Sequence, residues 1–209
     1  MNDTVRVSAH PLVRDKVTRL RDQSTGPKEF RDLVADLARL LFLEAAADLK
    51  LTPITVNTPL SPCGGHKVAD RIALFPILRA GLGMADAILQ LVPEAQVWHL
   101  GLYRDHETLK PVTYYNKLPA KPGIDVAVVM DPMLATGGSA LAVMDILRQR
   151  HIPRIKFLGL IAAPEGVRAI QSEFPDVLLH LAALDSHLNE VGYIVPGLGD
   201  AGDRQFATW

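Results

Sequence analysis

The chain has little that would tie it to a membrane, a polyanion or an oxidising compartment. One cysteine, Cys63, stands among 209 residues. That excludes an intrachain disulfide framework and a multi-cysteine zinc site, and it fits a reducing cytoplasm. Neither sign of charge is in surplus: 22 Lys and Arg face 23 Asp and Glu, for a formal net charge of −1. There is thus no global attraction to nucleic acid or anionic lipid. The longest uncharged run, Leu51 to His66, is too short to span a bilayer and is interrupted by Pro53, Pro59 and Pro62. Met1 to Lys16 lacks the apolar core of a secretory signal. These absences predict a cytoplasmic chain with no membrane and no nucleic-acid partner. What remains is 48% hydrophobic. It suits one domain over residues 1–209, burying roughly 70% of the surface of its unfolded chain.

The first fifty residues read as helical. His10 to Asp22 is charged and amphipathic. Pro27 marks a helix start, where its missing N–H costs nothing. Phe30, Leu33, Val34, Leu37, Leu40 and Leu41 follow helical spacing, and Phe42 and Leu43 widen the stripe toward a core or subunit contact. From Arg71 onward apolar runs alternate with helical stretches. Strands are expected at Ile72–Leu78, Val97–Tyr103, Val126–Met130, Ile155–Ala162 and Val177–Ala183. Helices are expected to about Leu91, from Ser139 to Arg150 and from Pro164 to Phe174. Strands apolar on both faces, separated by helices of about 10–12 residues, predict an α/β fold with a parallel sheet and right-handed crossovers. Ligands in such sheets bind at the carboxyl ends of the strands.

The most informative stretch is Asp131-Pro132-Met133-Leu134-Ala135-Thr136-Gly137-Gly138-Ser139. A buried strand delivers an acid, and Thr-Gly-Gly-Ser opens a helix. The two glycines let the backbone approach a ligand, the hydroxyls of Thr136 and Ser139 add donors, and the helix start adds unpaired N–H groups with a favourable dipole. Together they suit a phosphate. Asp131 would repel a phosphate, but it can accept hydrogen bonds from sugar hydroxyls, so the ligand carries ribose as well. The plainer alternative is a turn that caps a helix. This is no Walker loop, because no Gly-Lys-Ser/Thr follows, and Gly81-Leu82-Gly83 lacks the third glycine of a dinucleotide fingerprint.

An apolar strand, an acid and a Thr-Gly-Gly loop resemble the signature of the type I phosphoribosyltransferase family, and most closely its uracil phosphoribosyltransferase branch. The likeness extends from His10-Pro11-Leu12-Val13 to Phe206. It is densest at Pro76 to Met84, Gly101 to Asp105, Tyr114 to Pro119, Asp131 to Ser139 and Tyr193 to Arg204. In many phosphoribosyltransferases two acids are adjacent in the signature; here Asp131 is followed by Pro132, as in the uracil branch. The resemblance implies conversion of uracil and 5-phospho-α-D-ribose 1-diphosphate (PRPP) to uridine monophosphate and diphosphate, in pyrimidine salvage. It implies a parallel-sheet fold with N-terminal helices, a hairpin arm and a C-terminal base-binding segment. Residues 131 to 139 would then bind PRPP, with the N–H groups of Thr136 to Ser139 on its 5′-phosphate.

Arg79 directly follows one strand run and Arg104 another. A guanidinium binds phosphate bidentately at any working pH. By resemblance both take the pyrophosphate end of PRPP, where charge grows as the bond to ribose breaks; a lone arginine at a strand end is more often merely solvated. Tyr193 to Arg204 has four glycines and Pro196, so it reads as a loop presenting backbone groups. The resemblance makes Ile194, Gly199 and Ala201 the uracil pocket, with Asp200 reaching toward the donor and the N1 proton. Asp203 and Arg204 would pair to hold the loop. Lys110 to Lys117 reads as a hairpin arm, mobile near the site in the family or else structural. Cys63 reads as a loop residue without chemistry.

The implied cofactor is Mg²⁺, bound mainly through PRPP phosphates and water, since no metal-ligand spacing occurs. The implied assembly is a homo-oligomer, dimer or tetramer, with a nucleotide such as GTP as a possible allosteric activator. Two alternatives stand beside the enzyme reading: an RNA-binding regulator on the same fold, and transfer to another base such as guanine or orotate. The first would need a clustered basic face, yet no Lys/Arg run exceeds two residues. The second is disfavoured by the match at Tyr193 to Arg204. Departures from the family pattern fall at His106, Ala207 and Trp209.

Overall fold

The computed structural model describes residues 4–104 and 111–208. A short strand, β1 (Val5–Val7), precedes two helices, α1 (Pro11–Arg21) and α2 (Pro27–Ala45). Two strands follow, β2 (Leu51–Asn57) and β3 (Pro62–Val68). Next come β4 (Ile72–Pro76), α3 (Leu82–Leu89), β5 (Gln96–Val97), β6 (Leu100–Arg104) and β7 (Pro111–Asn116). The remainder is β8 (Val126–Leu134), α4 (Gly138–Gln149), β9 (Arg154–Ala162), α5 (Pro164–Glu173) and β10 (Leu178–Leu184), then the short β11 (His187–Leu188), β12 (Ile194–Val195) and α6 (Ala201–Phe206).

Proline opens α1, α2 and α5, where a missing N–H and a preset φ suit the first turn. At α1 the His10 ring also accepts the Leu12 N–H at 3.2 Å. The α2 stripe behaves as its spacing predicts: Phe30, Leu33, Val34, Leu37, Leu41 and Phe42 are buried. Leu43 is 60% exposed, so of the two extra apolar residues only Phe42 joins the core.

Six strands form one parallel sheet in the order β1-β10-β9-β8-β4-β5. Alternate side chains face opposite ways. Leu74, Val128, Met130, Leu158 and Leu160 pack with α1, α2 and α3 on one face. Ala73, Phe75, Val129, Phe157 and Leu181 pack with α4 and α5 on the other. Burial on both faces is why these strands read as continuous apolar runs. No helix among the described residues is long and apolar enough to cross a membrane.

Several expectations are corrected. The chain does not start wholly helical, because Val5–Val7 pairs in parallel with Leu179–Leu181. Leu51–Val68 is an antiparallel hairpin standing away from the core, so Cys63 lies in a strand, paired with Val56, rather than in a loop. The Val97–Tyr103 run is split. Gln96–Val97 joins the sheet, whereas Leu100–Arg104 pairs with β7 in a separate hairpin. Within the expected Lys110 to Lys117 arm, Pro111–Asn116 is therefore one strand of that hairpin, whereas Lys110, His106 and Trp209 lie outside the described residues.

Candidate functional site

The site arises where two neighbouring parallel strands part. β4 and β8 run in register to the pair Pro76–Met130. There β4 ends, and the Ile77 N–H still donates to Met130 O at 2.9 Å. β8 instead continues along β9, pairing Asp131 with Gly159, Met133 with Ile161 and Leu134 with Ala162. The run Val126–Met130 is thus longer than its apolar residues indicate, and Asp131 sits within the strand. The sheet's chain order reverses between β4 and β8, and at such a switch point α/β sheets open a crevice. Asp131 lies beside it, half-buried. Its carboxyl is pushed up to about 7. Removal from water is the main cause, opposed by the Met133 N–H, which donates to Oδ1 at 3.1 Å, and aided by the negative charge of Asp200.

After Leu134 the chain needs only Ala135, Thr136 and Gly137 to reach α4. Gly137 caps the helix with φ +85°, a left-handed conformation that side-chain-bearing residues resist. The first N–H groups of α4, from Gly138 onward, have no carbonyl inside the helix, and the adjoining Thr136 and Ser139 are exposed. The loop is braced from behind by the start of α5: a Cβ at Gly166 would lie 2.4 Å from the Ala135 carbonyl oxygen. The sequence does not single out that close approach. Its only signal was a glycine in the first turn of a helix.

Arg79 stands in the turn between β4 and α3, exposed, after a buried Ile77. Its Nη2 donates to Asp203 Oδ1 at 3.2 Å and its Nη1 to Thr208 Oγ1 at 3.5 Å. Asp200 caps α6, accepting the Asp203 N–H at 2.9 Å. A Cβ on buried Gly202 would meet Asp200 Oδ1 at 3.1 Å and Arg79 Nη2 at 3.5 Å, so these two groups are close neighbours. Asp131, Asp200 and Arg79 therefore gather at one end of the sheet. Arg104 does not stand at the end of a core strand as expected: it is the last residue of β6, opposite Pro111 in the separate hairpin.

The expected Asp203–Arg204 pair is absent too, since Asp203 turns to Arg79. Arg204 instead donates to the carbonyls of Leu20, Leu198, Asp22 and Thr25, and its guanidinium stacks 4.4 Å above the Phe30 ring. Burial of this cation lowers its pKa below the usual arginine value. The Tyr193–Arg204 segment is also more regular than a glycine-rich loop, because it contains β12 and, from Ala201, a helix.

A cavity of about 200 Å³ joins the phosphate loop to this segment, lined by Met133, Ala135, Val191, Tyr193, Ile194 and Asp200. Ile194 is buried and Ala201 fully so. Gly199 faces a different recess, with Arg21, Gln23 and Arg204. A larger cavity, about 550 Å³, opens at the opposite, amino end of β4 and β5, among Lys67, Asp70, Glu94 and Gln96, and holds none of the candidate residues. The described residues contain no group of three His, Cys, Asp or Glu placed to hold a metal ion. What the smaller cavity and its rim can do is seat a flat ring beside a ribose phosphate, with a cation at the far end.

Residues 7–208 match the family model described as uracil phosphoribosyltransferase. The chain is 62% identical over 204 residues to a uracil phosphoribosyltransferase of Roseiflexus castenholzii, covering 98% of each sequence. It is 55% identical over 205 residues to one from Halalkalibacterium halodurans, again covering 98% of each. Among solved structures, the AQ2163 protein of Aquifex aeolicus matches with a TM-score of 0.89 at 38% identity over 98% of each chain. An adenine phosphoribosyltransferase of Leishmania donovani matches with a TM-score of 0.55 at 12% identity, covering 87% of this chain and 83% of that one, which shows a shared fold.

Proposed function

The chain belongs to the uracil phosphoribosyltransferase family, and we propose how its residues carry out that reaction. It is a pentosyltransferase of pyrimidine salvage, converting uracil and PRPP to uridine monophosphate and diphosphate. One observation carries the assignment of roles: Asp131, Asp200 and Arg79 converge beside the phosphate loop and the cavity of Ile194.

The 5′-phosphate of PRPP rests on the N–H groups of Thr136 to Ser139 at the start of α4, and Pro132 to Ala135 line its approach. Asp131, ionised, accepts hydrogen bonds from the ribose hydroxyls. The N1 of uracil attacks the anomeric carbon as its bond to the pyrophosphate oxygen breaks, so positive charge grows on the ring and negative charge on the leaving group. Arg79 leaves its exposed pairing with Asp203 to bind the pyrophosphate, and fixed cations there lower the barrier. Arg104 would join it from the β6–β7 hairpin. Asp200 takes the N1 proton, directly or through water. Backbone groups of Ile194 and Ala201, joined by Gly199 from the recess it shares with Arg21 and Arg204, read the carbonyl–NH–carbonyl edge of uracil, which cytosine does not present. Mg²⁺ suits the hard carboxylate oxygens of Asp131 and Asp200. It would be held largely by PRPP oxygens and water, and would neutralise charge on the leaving diphosphate.

The wider expectations join this reading. A single domain over residues 1–209 is supported by the two core faces, which pack on one sheet. A homo-oligomer, dimer or tetramer, is supported by the β2–β3 hairpin, which exposes Leu51, Ile54, Val56, Leu60 and Val68 though two strands alone are barely stable. Activation by GTP and a cytoplasmic location rest on the resemblance and on composition. The experiment mixes purified protein with PRPP, Mg²⁺ and each free base in turn and measures the monophosphate. Uridine monophosphate from uracil, and none from cytosine, is expected; no product from uracil would overturn the reading.

A further inference from the structure

The base segment is tied to the body of the protein at one residue, Gly197, by two side chains from distant parts of the chain. Asp185 directly follows β10, and its own N–H donates to Ala162 O at 2.8 Å, so its backbone is anchored to the sheet. Its side chain is only 3% exposed. The carboxylate Oδ2 accepts the Gly197 N–H at 2.9 Å and Arg21 Nη1 at 2.8 Å, while Oδ1 accepts Arg21 Nη2. Arg21, the last residue of α1, closes the arrangement by donating from Nη1 to the Gly197 carbonyl at 2.7 Å. Both backbone groups of Gly197 are thereby taken by one ion pair.

Gly197 is three residues after Ile194 and three before Asp200, and both of these line the cavity beside the Asp131–Ser139 loop, as does Tyr193. Past β12, from Pro196 to Asp200, the chain is irregular and has no ladder to set its path. A bidentate arginine–carboxylate pair is directional, and buried this far it resists rearrangement, because separating it would leave an uncompensated charge.

We propose that Arg21 and Asp185 are positioning residues for base recognition, holding Gly197 so that Ile194 and Asp200 keep the spacing that admits uracil. The inference rests on the assignment of the Ile194–Asp200 cavity to the base. A pair that served only general stability would, when broken, lower the melting temperature and leave the affinities of the folded fraction alone. A positioning pair acts on one substrate.

The test compares Asp185→Asn, Arg21→Met and Arg21→Lys with a control, Lys16→Met, which breaks the 2.7 Å pair to Asp36 on the same helix α1. KM for uracil and KM for PRPP are measured separately, below each variant's melting transition. Arg21→Met and Asp185→Asn should raise the uracil KM about ten-fold or more, equivalent to about 1.4 kcal/mol, with the PRPP KM held within about two-fold. Arg21→Lys, which keeps the charge but not the fork, should fall between them and the parent, and Lys16→Met should leave both constants unchanged. Should either severe variant fail to fold, the other and Arg21→Lys decide the matter. An unchanged uracil KM, or equal rises in both constants, would overturn the inference. A parent enzyme that made no uridine monophosphate would instead fail the base assignment itself.

Discussion

The Asp131–Ser139 loop, to which we assign the phosphate, and the Tyr193–Arg204 segment, to which we assign the base, line one cavity and are built by opposite means. The loop from Asp131 to Ser139 is held by its neighbours in the sheet. Its strand pairs with β9 as far as Leu134, and the helix that follows β9 braces it through Gly166. The base segment from Tyr193 to Arg204 is held by the far end of the chain: Arg21 reaches Gly197, and Arg204 reaches Leu20, Asp22 and Thr25. A phosphate asks for several N–H groups at one point, which any helix start supplies. A base edge asks for donors and acceptors in a set order. The short β12, the start of α6 and the irregular backbone between them expose these, and so short and irregular a segment needs outside partners to stay in place.

Predictions that would break or sharpen this contrast run from large effects to small. Arg79→Ala should lower kcat by about 10²–10³-fold, as loss of a charge-stabilising donor does elsewhere. The melting temperature should hardly move, because the pair with Asp203 is exposed. Steady-state kinetics with matched melting curves check this, and unchanged turnover would remove Arg79 from the site. Gly166→Val drives a side chain into the Ala135 carbonyl and should cost about 1–3 kcal/mol of stability. It should raise the KM for PRPP, with the uracil KM at saturating PRPP little altered. Arg204→Met loses four carbonyl contacts and the stack on Phe30. It should show the reverse preference, with uracil KM rising and about 1.5–3 kcal/mol of stability lost. If both variants moved the same constant, the division of labour drawn here would collapse.

A smaller effect is expected from pH. Asp131, pushed up to about 7, is largely protonated in the free enzyme at pH 6 and accepts more strongly from the ribose hydroxyls once ionised. PRPP binding should tighten as pH rises from 6 to 8, by no more than about ten-fold per pH unit. Asp131→Asn should lose that part of the profile, and an identical profile in the variant would acquit Asp131. Stability carries the opposite sign. The folded state holds a proton that the unfolded chain releases near pH 4, so this group makes the fold less stable as pH climbs from about 4 to 7.

The least effect on activity is predicted for His180, which lies in β10, opposite Arg6 of β1 and apart from both regions. Its two ring nitrogens are buried without partners, and burial, with Lys156 and Arg6 nearby, pushes its pKa down to about 4, against the opposing pull of Asp48. The unfolded chain therefore takes up this proton first, and stability falls as pH drops from about 6.5 to 4. His180→Phe should abolish that slope and stabilise the fold by about 1–3 kcal/mol, with both KM values unchanged. Chemical denaturation at pH 5 and pH 7 measures it.

The core was legible because its strands are buried on both faces, so Ile72, Val126 and Ile155 each open an apolar run that needs no partner to be seen. The strand, turn and helix start from Asp131 to Ser139 were legible for a related reason, their residues being contiguous. Misreadings fell where pairing overrode composition. Val5–Val7 is too short to signal a strand, yet β10 offers it an edge. Leu100–Arg104 resembles a core strand but finds β7 instead. The Leu51–Val68 hairpin contains three prolines and two glycines, and its exposure conceals it from any reading based on burial.

By itself the sequence determined the α/β class, the Asp131 to Ser139 loop and the cationic candidate at Arg79, since each depends on residue types close together along the chain. Only the tertiary structure decided that β8 outruns β4, that Asp203 holds Arg79 while Arg204 holds carbonyls, and that Arg21 and Asp185 share Gly197. Those choices depend on which groups meet far apart along the chain, 124 residues for Arg79 and Asp203 and 176 for Arg21 and Gly197. A buried charge takes whichever partner the packing brings within reach, and that geometry is written in no local pattern.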